Sequence, residues 1–250
     1  MTSIILSGCG GTMGRAVNAQ AQSVGCTVVA GIDPAVLSKM GYPLFESAAK
    51  CTVKADVIVD FSHPSAVDGL LELSRCSGTP LVLATTGLDE SQLARVRAAA
   101  EQAPIFFSFN MSLGINLMLA LAKTATRVLG EQFDIEIIEK HHNRKLDAPS
   151  GTALMIANAV SQELAETPEY IYERHSKRQR RRKSEIGLHS VRGGTIVGEH
   201  ELIFAGQDEA LSITHTAYSR EVFATGALSA ARFMVGKPPG LYDMNDLINN

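Results

Sequence analysis

Residues 4–17 read IILSGCGGTMGRAV, and they set the architecture of the N-terminal half of the chain. Ile4–Leu6 is typical of a short buried strand, and a glycine-rich turn follows it. Residues 15–24 have the pattern of a helix, and residues 27–32 predict a second strand that ends at Asp33. Strand, glycine turn, helix, strand and acidic residue follow one another in dinucleotide-binding units.

The glycines of this turn are spaced as Gly8-x-x-Gly11-x-x-Gly14. The commoner GxGxxG register would place Met13 at its last glycine position, so that register does not fit. Glycine lets the backbone turn tightly and lets phosphate oxygens approach the N–H groups at the positive end of a helix. The position of the turn, between a strand and a helix, favours a dinucleotide site over an ordinary glycine turn.

Asp33 indicates which dinucleotide is bound. Its carboxylate is expected to accept hydrogen bonds from both adenosine ribose hydroxyls and to repel a 2′-phosphate. Pro34 stands where a site that prefers NADP would have Arg or Lys, and Lys39 is the nearest cation. We therefore expect NADH to be the preferred cofactor, with NADPH also possible.

Further strands are predicted at 56–61, 80–84 and 105–107, with a helix at 89–103, and this alternation indicates a parallel, doubly wound sheet. Ligands of such sheets lie outside the carboxyl ends of the strands. Polar turns follow three of these strands, and each is either a ligand contact or a plain strand exit. They are Ser62-His63, Thr85-Thr86-Gly87 and Asn110-Met111-Ser112.

The pattern changes after a predicted helix at 114–129. Strands are expected at 133–140, 187–192, 195–204 and 211–217, with one helix at about 153–166. Strands that follow one another through glycine turns indicate an open mixed sheet. The predicted fold class is α/β, with a Rossmann-type doubly wound domain at 1–112 and 220–250 and an α+β domain at 113–219.

Composition limits the function classes. The chain has 250 residues, 45% of them hydrophobic, and a formal net charge of −3. This balance gives no general attraction for nucleic acid or an anionic membrane, and no apolar run is long enough to span a bilayer. The four cysteines form no CxxC pair or zinc pattern, and the first predicted strand leaves no room for a signal peptide. We expect a cytoplasmic enzyme.

Residues 177–183, KRQRRRK, form the one block of like charge. Such blocks are usually solvated, mobile loops. The alternative is that this block attracts an anionic substrate. Binding of nucleic acid is less favoured, because the block has no interleaved aromatic residues.

Residues 139–152, EKHHNRKLDAPSGT, collect the candidate chemical groups between a predicted strand and a predicted helix. His141 and His142 are adjacent, so on an extended segment they face opposite ways. A histidine is suited to donate a proton near neutral pH to a substrate that accepts a hydride. A metal site is the rival interpretation, but the two rings diverge and no third ligand is evident, so none is predicted.

Lys145 supplies a charge that can hold a carboxylate or stabilise charge in the transition state. Ser150, Gly151 and Thr152 precede the predicted helix, and their N–H and hydroxyl groups suit a carboxylate cradle. The simpler interpretation is a helix N-cap by Ser150 or Thr152, and the two roles are compatible.

The HHxxK motif at 141–145 followed by DAPSGTA at 147–153 resembles the signature of the 4-hydroxy-tetrahydrodipicolinate (dihydrodipicolinate) reductases of bacterial lysine and diaminopimelate synthesis. The resemblance covers essentially the whole chain, including the segments RGG at 192–194, GEH at 198–200 and ITH at 213–215. It implies reduction of a cyclic imine dicarboxylate by NADH or NADPH with loss of water. It also implies a homotetramer built through the sheet of the second domain.

The resemblance assigns roles residue by residue. The proton donor falls on His141 and the family's lysine on Lys145. Substrate contacts fall on His142, Ser150, Gly151, Thr152 and, less closely, Arg220. Cofactor contacts fall on Gly8, Gly11, Thr12, Met13, Gly14, Asp33, Thr85, Thr86, Gly87, Asn110, Met111 and Ser112. The basic run departs from the family, in which a glycine-containing loop is expected between Tyr172 and Ile186.

Two rivals stay open on the sequence. One is a different two-domain reductase of an amino-acid intermediate, because one fold hosts many chemistries. The other is a nucleotide-binding regulator without catalysis, which the presence of His141, His142 and Lys145 disfavours.

Overall fold

The computed structural model describes residues 1–35 and 40–249. The chain folds into two compact units. The first comprises Met1–Leu113 and Arg220–Asn250, and the second is Gly114–Ser219. In chain order the helices and strands are β1 Thr2–Ser7, α1 Thr12–Gln20, β2 Cys26–Ile32, β3 Leu44–Phe45, β4 Val57–Asp60, α2 Val67–Ser77, β5 Leu81–Leu83, α3 Glu90–Ala100, β6 Pro104–Phe107, α4 Leu113–Leu129, β7 Asp134–His141, α5 Gly151–Ser161, β8 Glu169–Ile171, β9 Glu185–Arg192, β10 Gly198–Ala205, β11 Ala210–Ala217, α6 Glu221–Met234, β12 Gly240–Tyr242 and α7 Met244–Ile248.

The first unit is built on a seven-stranded parallel sheet in the order β12-β6-β5-β4-β1-β2-β3. Its central strands are buried on both sides, and all four residues of β4 are buried. Ile4 and Leu6 of β1 join one apolar cluster and Ile5 joins the other, as the two-residue period of a strand requires. The predicted doubly wound sheet is confirmed.

The chain returns to the first unit after residue 219. The buried face of α6 is made mostly of alanine, and it belongs to the same apolar cluster as Ile4 and Leu6. Gly226 makes this packing possible, because a Cβ there would lie 1.7 Å from the carbonyl oxygen of Met111. β12 then adds a parallel strand beside β6.

The second unit has a five-stranded sheet in the order β11-β10-β7-β9-β8. β7 pairs with β9 in parallel and with β10 antiparallel, so the predicted mixed sheet is also confirmed. In β10, alternate residues are buried. Two of these buried residues, Leu202 and Phe204, belong to one apolar cluster with residues of α4 and α5, including Met118, Ala122 and Ile156.

The observed elements differ from the predicted ones mainly at short strands and helix starts. β3, β8, β12 and α7 were not expected from the sequence. α1 begins at Thr12 rather than residue 15, and α5 begins at Gly151 rather than residue 153. Within residues 1–35 and 40–249, none of the helices is both long and apolar enough to cross a membrane.

Candidate active site

The glycine turn between β1 and α1 has the shape that a phosphate cradle needs. Gly8 has φ +74°, and a Cβ there would lie 2.4 Å from the carbonyl oxygen of Phe61. A Cβ at Gly14 would lie 2.1 Å from the carbonyl oxygen of Gly8. Gly11 is the N-cap of α1 and has no side chain to accept the first N–H groups of the helix. These groups suit the pyrophosphate of a dinucleotide.

Asp33 lies just beyond the end of β2 and is bound to the glycine turn. Its Oδ2 accepts a hydrogen bond from the N–H of Gly10 at 3.0 Å, and its Oδ1 accepts one from Ala35 at 2.9 Å. A carboxylate has about four acceptor sites, so it retains capacity for ribose hydroxyls. Lys39, the nearest cation in the sequence, lies outside the described residues.

Two cavities of the first unit contain most of the predicted cofactor residues. A cavity of about 540 Å³ is lined by Gly8, Gly11 and Asp33, among others. A second of about 350 Å³ is lined by the predicted residues Met13, Thr85, Thr86, Asn110 and Met111. Phe61 and Ser62 line both cavities. Thr12, Gly14, Gly87 and Ser112 line neither, and Gly14 acts instead by letting α1 approach the backbone of Gly8 closely.

The polar turns after β5 and β6 are braced by their own hydrogen bonds. Thr85 donates to Asp60 Oδ2 at 2.6 Å, and burial raises the pKa of Asp60. Asn110 Oδ1 accepts from the N–H of Ser112 at 2.9 Å. These hydrogen bonds hold Thr85, Asn110 and Ser112 in place beyond the carboxyl ends of their strands.

In the second unit, strand register places a polar row beside an apolar core. Ile137 is flanked by Leu188 on β9 and Leu202 on β10. Two residues further along β7, the same inward face carries Glu139, with His200 opposite it on β10. His141 follows on the same face. The polar candidate residues therefore lie at the end of the apolar core, where the inward face of β7 changes from apolar to polar.

Glu139 is the centre of this polar group, with only 1% of its side chain exposed. Arg192 grips it with two hydrogen bonds, of 2.7 and 2.8 Å, and His141 Nδ1 lies 2.5 Å from its Oε2. The N–H of Ser150 donates to Oε1 at 3.2 Å. Burial raises the pKa of Glu139, but hydrogen bonds from Arg192, Ser190 and His141 outweigh burial and hold it at about 2.

His200 is a second buried histidine beside the first. Its ring meets that of His141 edge to face, with 5.2 Å between the centroids, and its Nε2 lies 2.9 Å from Ser150 Oγ. Burial, together with repulsion from His141, lowers the pKa of His200 to about 4. Among the residues that the structure describes, no hydrogen-bond partner reaches its buried Nδ1. His200 is therefore a neutral imidazole at neutral pH.

Lys145 lies on the loop between β7 and α5. Its Nζ is 2.8 Å from Asp147 Oδ1, and 21% of its side chain is exposed against 60% for Asp147. Exposed ion pairs of this kind contribute about 0–1 kcal/mol to stability. Lys145 can therefore exchange Asp147 for another carboxylate at little cost.

The Ser-Gly-Thr segment forms the start of α5, and Ser150 is the N-cap. Its hydroxyl accepts the N–H of Ala153 at 3.1 Å. A Cβ at Gly151 would meet open space, and Thr152 lies within the first helical turn. The candidate substrate residues from His141 to Thr152 are thus on one loop and helix start. Arg220 belongs to the first unit, where it is exposed just before α6.

The basic run is exposed except at Arg181. The Arg181 guanidinium binds Asp134 at 2.6 Å and Glu136 at 3.0 Å. It also donates to the carbonyl oxygens of Ile135 and Glu185, at 3.0 and 2.6 Å. Arg181 therefore joins the run to β7 and β9, a structural role that none of the three interpretations of the run includes.

Several residues of these sites were not found by sequence reasoning. Phe223 and residues 46–49 line the first unit's cavities, and no local pattern marks them. Glu139, Arg192 and His200 were assigned no role from the sequence. A polar residue at a strand position where the alternation calls for an apolar one was a signal that could have identified Glu139 and His200. Within the described ranges 1–35 and 40–249, no cluster of three or more His, Cys, Asp or Glu residues could hold a metal ion.

The family models and the relatives that match this chain agree on one family. The family model described as "Dihydrodipicolinate reductase, N-terminus" matches residues 2–111, and "Dihydrodipicolinate reductase, C-terminus" matches residues 114–248. A 4-hydroxy-tetrahydrodipicolinate reductase of Caldanaerobacter subterraneus subsp. tengcongensis is 50% identical over 99% of this chain and 98% of its own length. One from Clostridium novyi is 47% identical over 100% and 99% of the two chains.

A solved structure has the same fold. The dipicolinate-bound dihydrodipicolinate reductase from Paenisporosarcina sp. TG-14 superposes with a TM-score of 0.82, at 24% identity, over 98% of this chain and 99% of that one. The family models together match nearly the whole chain, and the relatives match it along their full length. This chain belongs to the dihydrodipicolinate reductase family.

Proposed function

We propose that this chain is an NAD(P)H-dependent 4-hydroxy-tetrahydrodipicolinate reductase. It reduces the cyclic imine dicarboxylate to tetrahydrodipicolinate, with loss of water, in the synthesis of diaminopimelate and lysine. The observation that carries the proposal is the full-length similarity to relatives with this activity in their names. The chemistry of the two units supports it.

The first unit holds the dinucleotide. The glycine turn at the start of α1 receives the pyrophosphate, Asp33 the ribose, and the cavity lined by Thr85, Thr86 and Asn110 the nicotinamide. When bound, the reduced nicotinamide supplies a hydride from its C4 to the unsaturated ring of the substrate. The chain's own residues supply binding, orientation and a proton.

His141 is the proton donor in this proposal. Hydride transfer to a C=N or conjugated imine leaves electron density on the ring nitrogen, and a proton delivered there completes the reduction. Histidine is suited to this step because its proton affinity lies near physiological pH.

Lys145 and the start of α5 hold the substrate carboxylates. Lys145 replaces its exposed partner Asp147 with a substrate carboxylate, and the N–H groups of Gly151 and Thr152 bind a carboxylate at the positive end of the helix. His142 and Arg220 add further contacts, as the family resemblance implies. Fixing the substrate in this way makes the proton and hydride transfers effectively unimolecular.

Oxidation of NADH by the purified protein, with 4-hydroxy-tetrahydrodipicolinate as substrate, is followed by absorbance and tests the function. His141→Gln is expected to lower kcat by roughly 100-fold to 10,000-fold, the usual contribution of a general acid, with a much smaller change in KM. Lys145→Ala is expected to impair both constants. A wild-type protein that binds NADH but never oxidises it would instead indicate a nucleotide-binding regulator.

NADH is the proposed preferred donor. Asp33 sits at the end of β2 with its carboxylate at the mouth of the glycine turn. A 2′-phosphate next to this carboxylate would be repelled, whereas two ribose hydroxyls would donate to it. A comparison of kcat/KM for NADH and NADPH measures the preference directly.

A homotetramer and a cytoplasmic setting complete the proposal. Alternate residues of β10 leave one face of the mixed sheet partly exposed, and the family resemblance places the subunit contact on that sheet. The four cysteines are free, which suits a reducing compartment. Sedimentation of the purified protein gives the oligomeric state.

A further inference from the structure

The buried carboxylate of Glu139 lies at a position where strand periodicity calls for an apolar side chain. The inward face of β7 reads Ile135, Ile137, Glu139 and then His141. A charge in such a position is costly unless it is fully paired. The chain meets this cost with donors from a second strand and from the start of α5, so the position has a specific requirement for a carboxylate.

The contacts of Glu139 determine where His141 carries its proton. The pKa of about 2 keeps the Glu139 carboxylate ionised at neutral pH. An ionised carboxylate only accepts hydrogen bonds, and Oε2 lies 2.5 Å from His141 Nδ1. His141 Nδ1 must therefore be the donor, and its proton is committed to Glu139. The ring nitrogen left for exchange is Nε2.

A glycine lies beside Nε2, where any larger side chain would crowd this nitrogen. Gly198 lies opposite the ring on β10, and a Cβ at that position would be 3.1 Å from Nε2. His200 presents a neutral ring rather than a second cation beside His141. One nitrogen of His141 is thus held by a carboxylate, and the other faces a glycine.

We propose that Glu139 is a positioning residue for the reduction: gripped by Arg192, it fixes His141 in the form protonated at Nδ1 and reserves Nε2 for the proton that goes to the substrate. In each turnover the N–H bond at Nε2 breaks, its proton passes to the ring nitrogen of the substrate, and solvent restores it. Glu139 stays ionised and the Nδ1 proton stays in place. This inference rests on the proposed function and adds a residue to it.

Glu136 gives a matched control on the same strand. It lies on the opposite face of β7, where its carboxylate contacts His189 Nε2 at 2.7 Å, Arg174 at 2.8 Å and Arg181 at 3.0 Å. Glu136→Gln and Glu139→Gln therefore both remove a carboxylate that is paired with arginine and histidine. Only the second removes one that orients His141.

The kinetic test compares these two variants by steady-state assay and thermal melting. Glu139→Gln is expected to lower kcat by about 100-fold or more, as expected when a histidine loses the carboxylate that fixes its tautomer, with KM changed by less than about threefold. Glu136→Gln is expected to keep kcat within about twofold of wild type. Equal kcat in a folded Glu139→Gln variant would overturn the proposal, as would equal losses in the two variants.

The tautomer is read directly by ¹⁵N NMR of histidine-labelled protein, with the His141 signals identified by their absence in His141→Gln. Neutral His141 is expected to carry its proton on Nδ1 in the wild type and to lose this preference in Glu139→Gln. A neutral His141 that carries its single proton on Nε2 in the wild type refutes the proposal even if Glu139→Gln does not fold. Arg192→Lys keeps the positive charge but loses the bidentate hydrogen bonding to Glu139, and its kcat is expected to lie between those of the wild type and Glu139→Gln.

The two proposals fail in different ways. A wild-type protein that does not reduce the substrate contradicts the proposed function, whatever the NMR result. An active wild type with an equally active Glu139→Gln variant contradicts only the positioning role.

Discussion

Replacing His200 with glutamine is expected to make the stability of the protein less sensitive to pH. His200 is 4% exposed, and its pKa falls from the ordinary 6.5 to about 4 in the folded protein. Above pH 6.5 the residue is neutral in both states, so its contribution to stability is fully present. Below pH 6.5 the unfolded chain binds a proton that the folded chain does not, and this contribution is lost progressively until about pH 4.

The two pKa values give the size of the effect. A histidine whose pKa falls from 6.5 to about 4 on folding lowers the free energy of unfolding by about 2 kcal/mol when the pH is reduced from 7 to 5. Glu139 and Glu185 have pKa values that fall from the ordinary 4.5 to about 2 on folding, so most of the stability that they contribute is lost below this window. The pH range from 7 to 5 therefore isolates the histidines, and the effect of His215 cancels in a comparison with the variant.

Urea unfolding followed by circular dichroism, at pH steps from 7 to 5 and a fixed protein concentration, measures this difference. The wild type is expected to lose about 2 kcal/mol more than His200→Gln across the range. The NMR signal of the His200 ring carbon is expected to stay constant above pH 5. Parallel stability curves for the two proteins, or a His200 signal that titrates near pH 6.5, would refute this account of the buried imidazole.

Two further predictions concern the basic run and the cofactor. Arg181→Met leaves Asp134 and Glu136 without their shared cation, and we expect it to cost about 2 kcal/mol and about 8 °C in Tm by calorimetry while KM stays unchanged. The exposed Arg180→Met is its control, and an equal loss in both variants would contradict the structural role. Asp33→Asn removes the charge that repels a 2′-phosphate, so kcat/KM for NADPH relative to NADH is expected to rise about 10-fold. An unchanged ratio would show that selectivity lies elsewhere.

The parts of the fold that depend on local signals were predicted from the sequence. β1, the glycine turn, α1 and β2 follow one another within 33 residues, and each has its own composition. β3 has only Leu44 and Phe45, and it is a strand because these residues pair with Gly31 and Ile32. This pairing depends on the tertiary fold, so no local sequence pattern predicts the strand. β8 and β12, each of three residues, were missed for the same reason.

The candidate site also has one part with a local sequence signal and one part that depends on strand pairing. The segment from His141 to Thr152 is continuous in sequence, so its candidate groups could be identified from the order of its residues alone, and their roles stay predictions. Arg192 meets Glu139 across 53 residues, because β9 pairs in parallel with β7 at one register. A shift of that register by one residue would turn Arg192 to the other face. Sequence spacing alone does not specify such a register.

The interrupted course of the first unit has a consequence for synthesis on the ribosome. Its sheet needs β12 and its core needs α6, yet both come from the last 31 residues, after the whole of Gly114–Ser219 has been made. Gly114–Ser219 is continuous and has its own apolar cluster, so it can pack before the residues that complete the first unit are available. We therefore expect a released fragment of residues 1–219 to protect the mixed sheet from protease and to leave the parallel sheet open to cleavage.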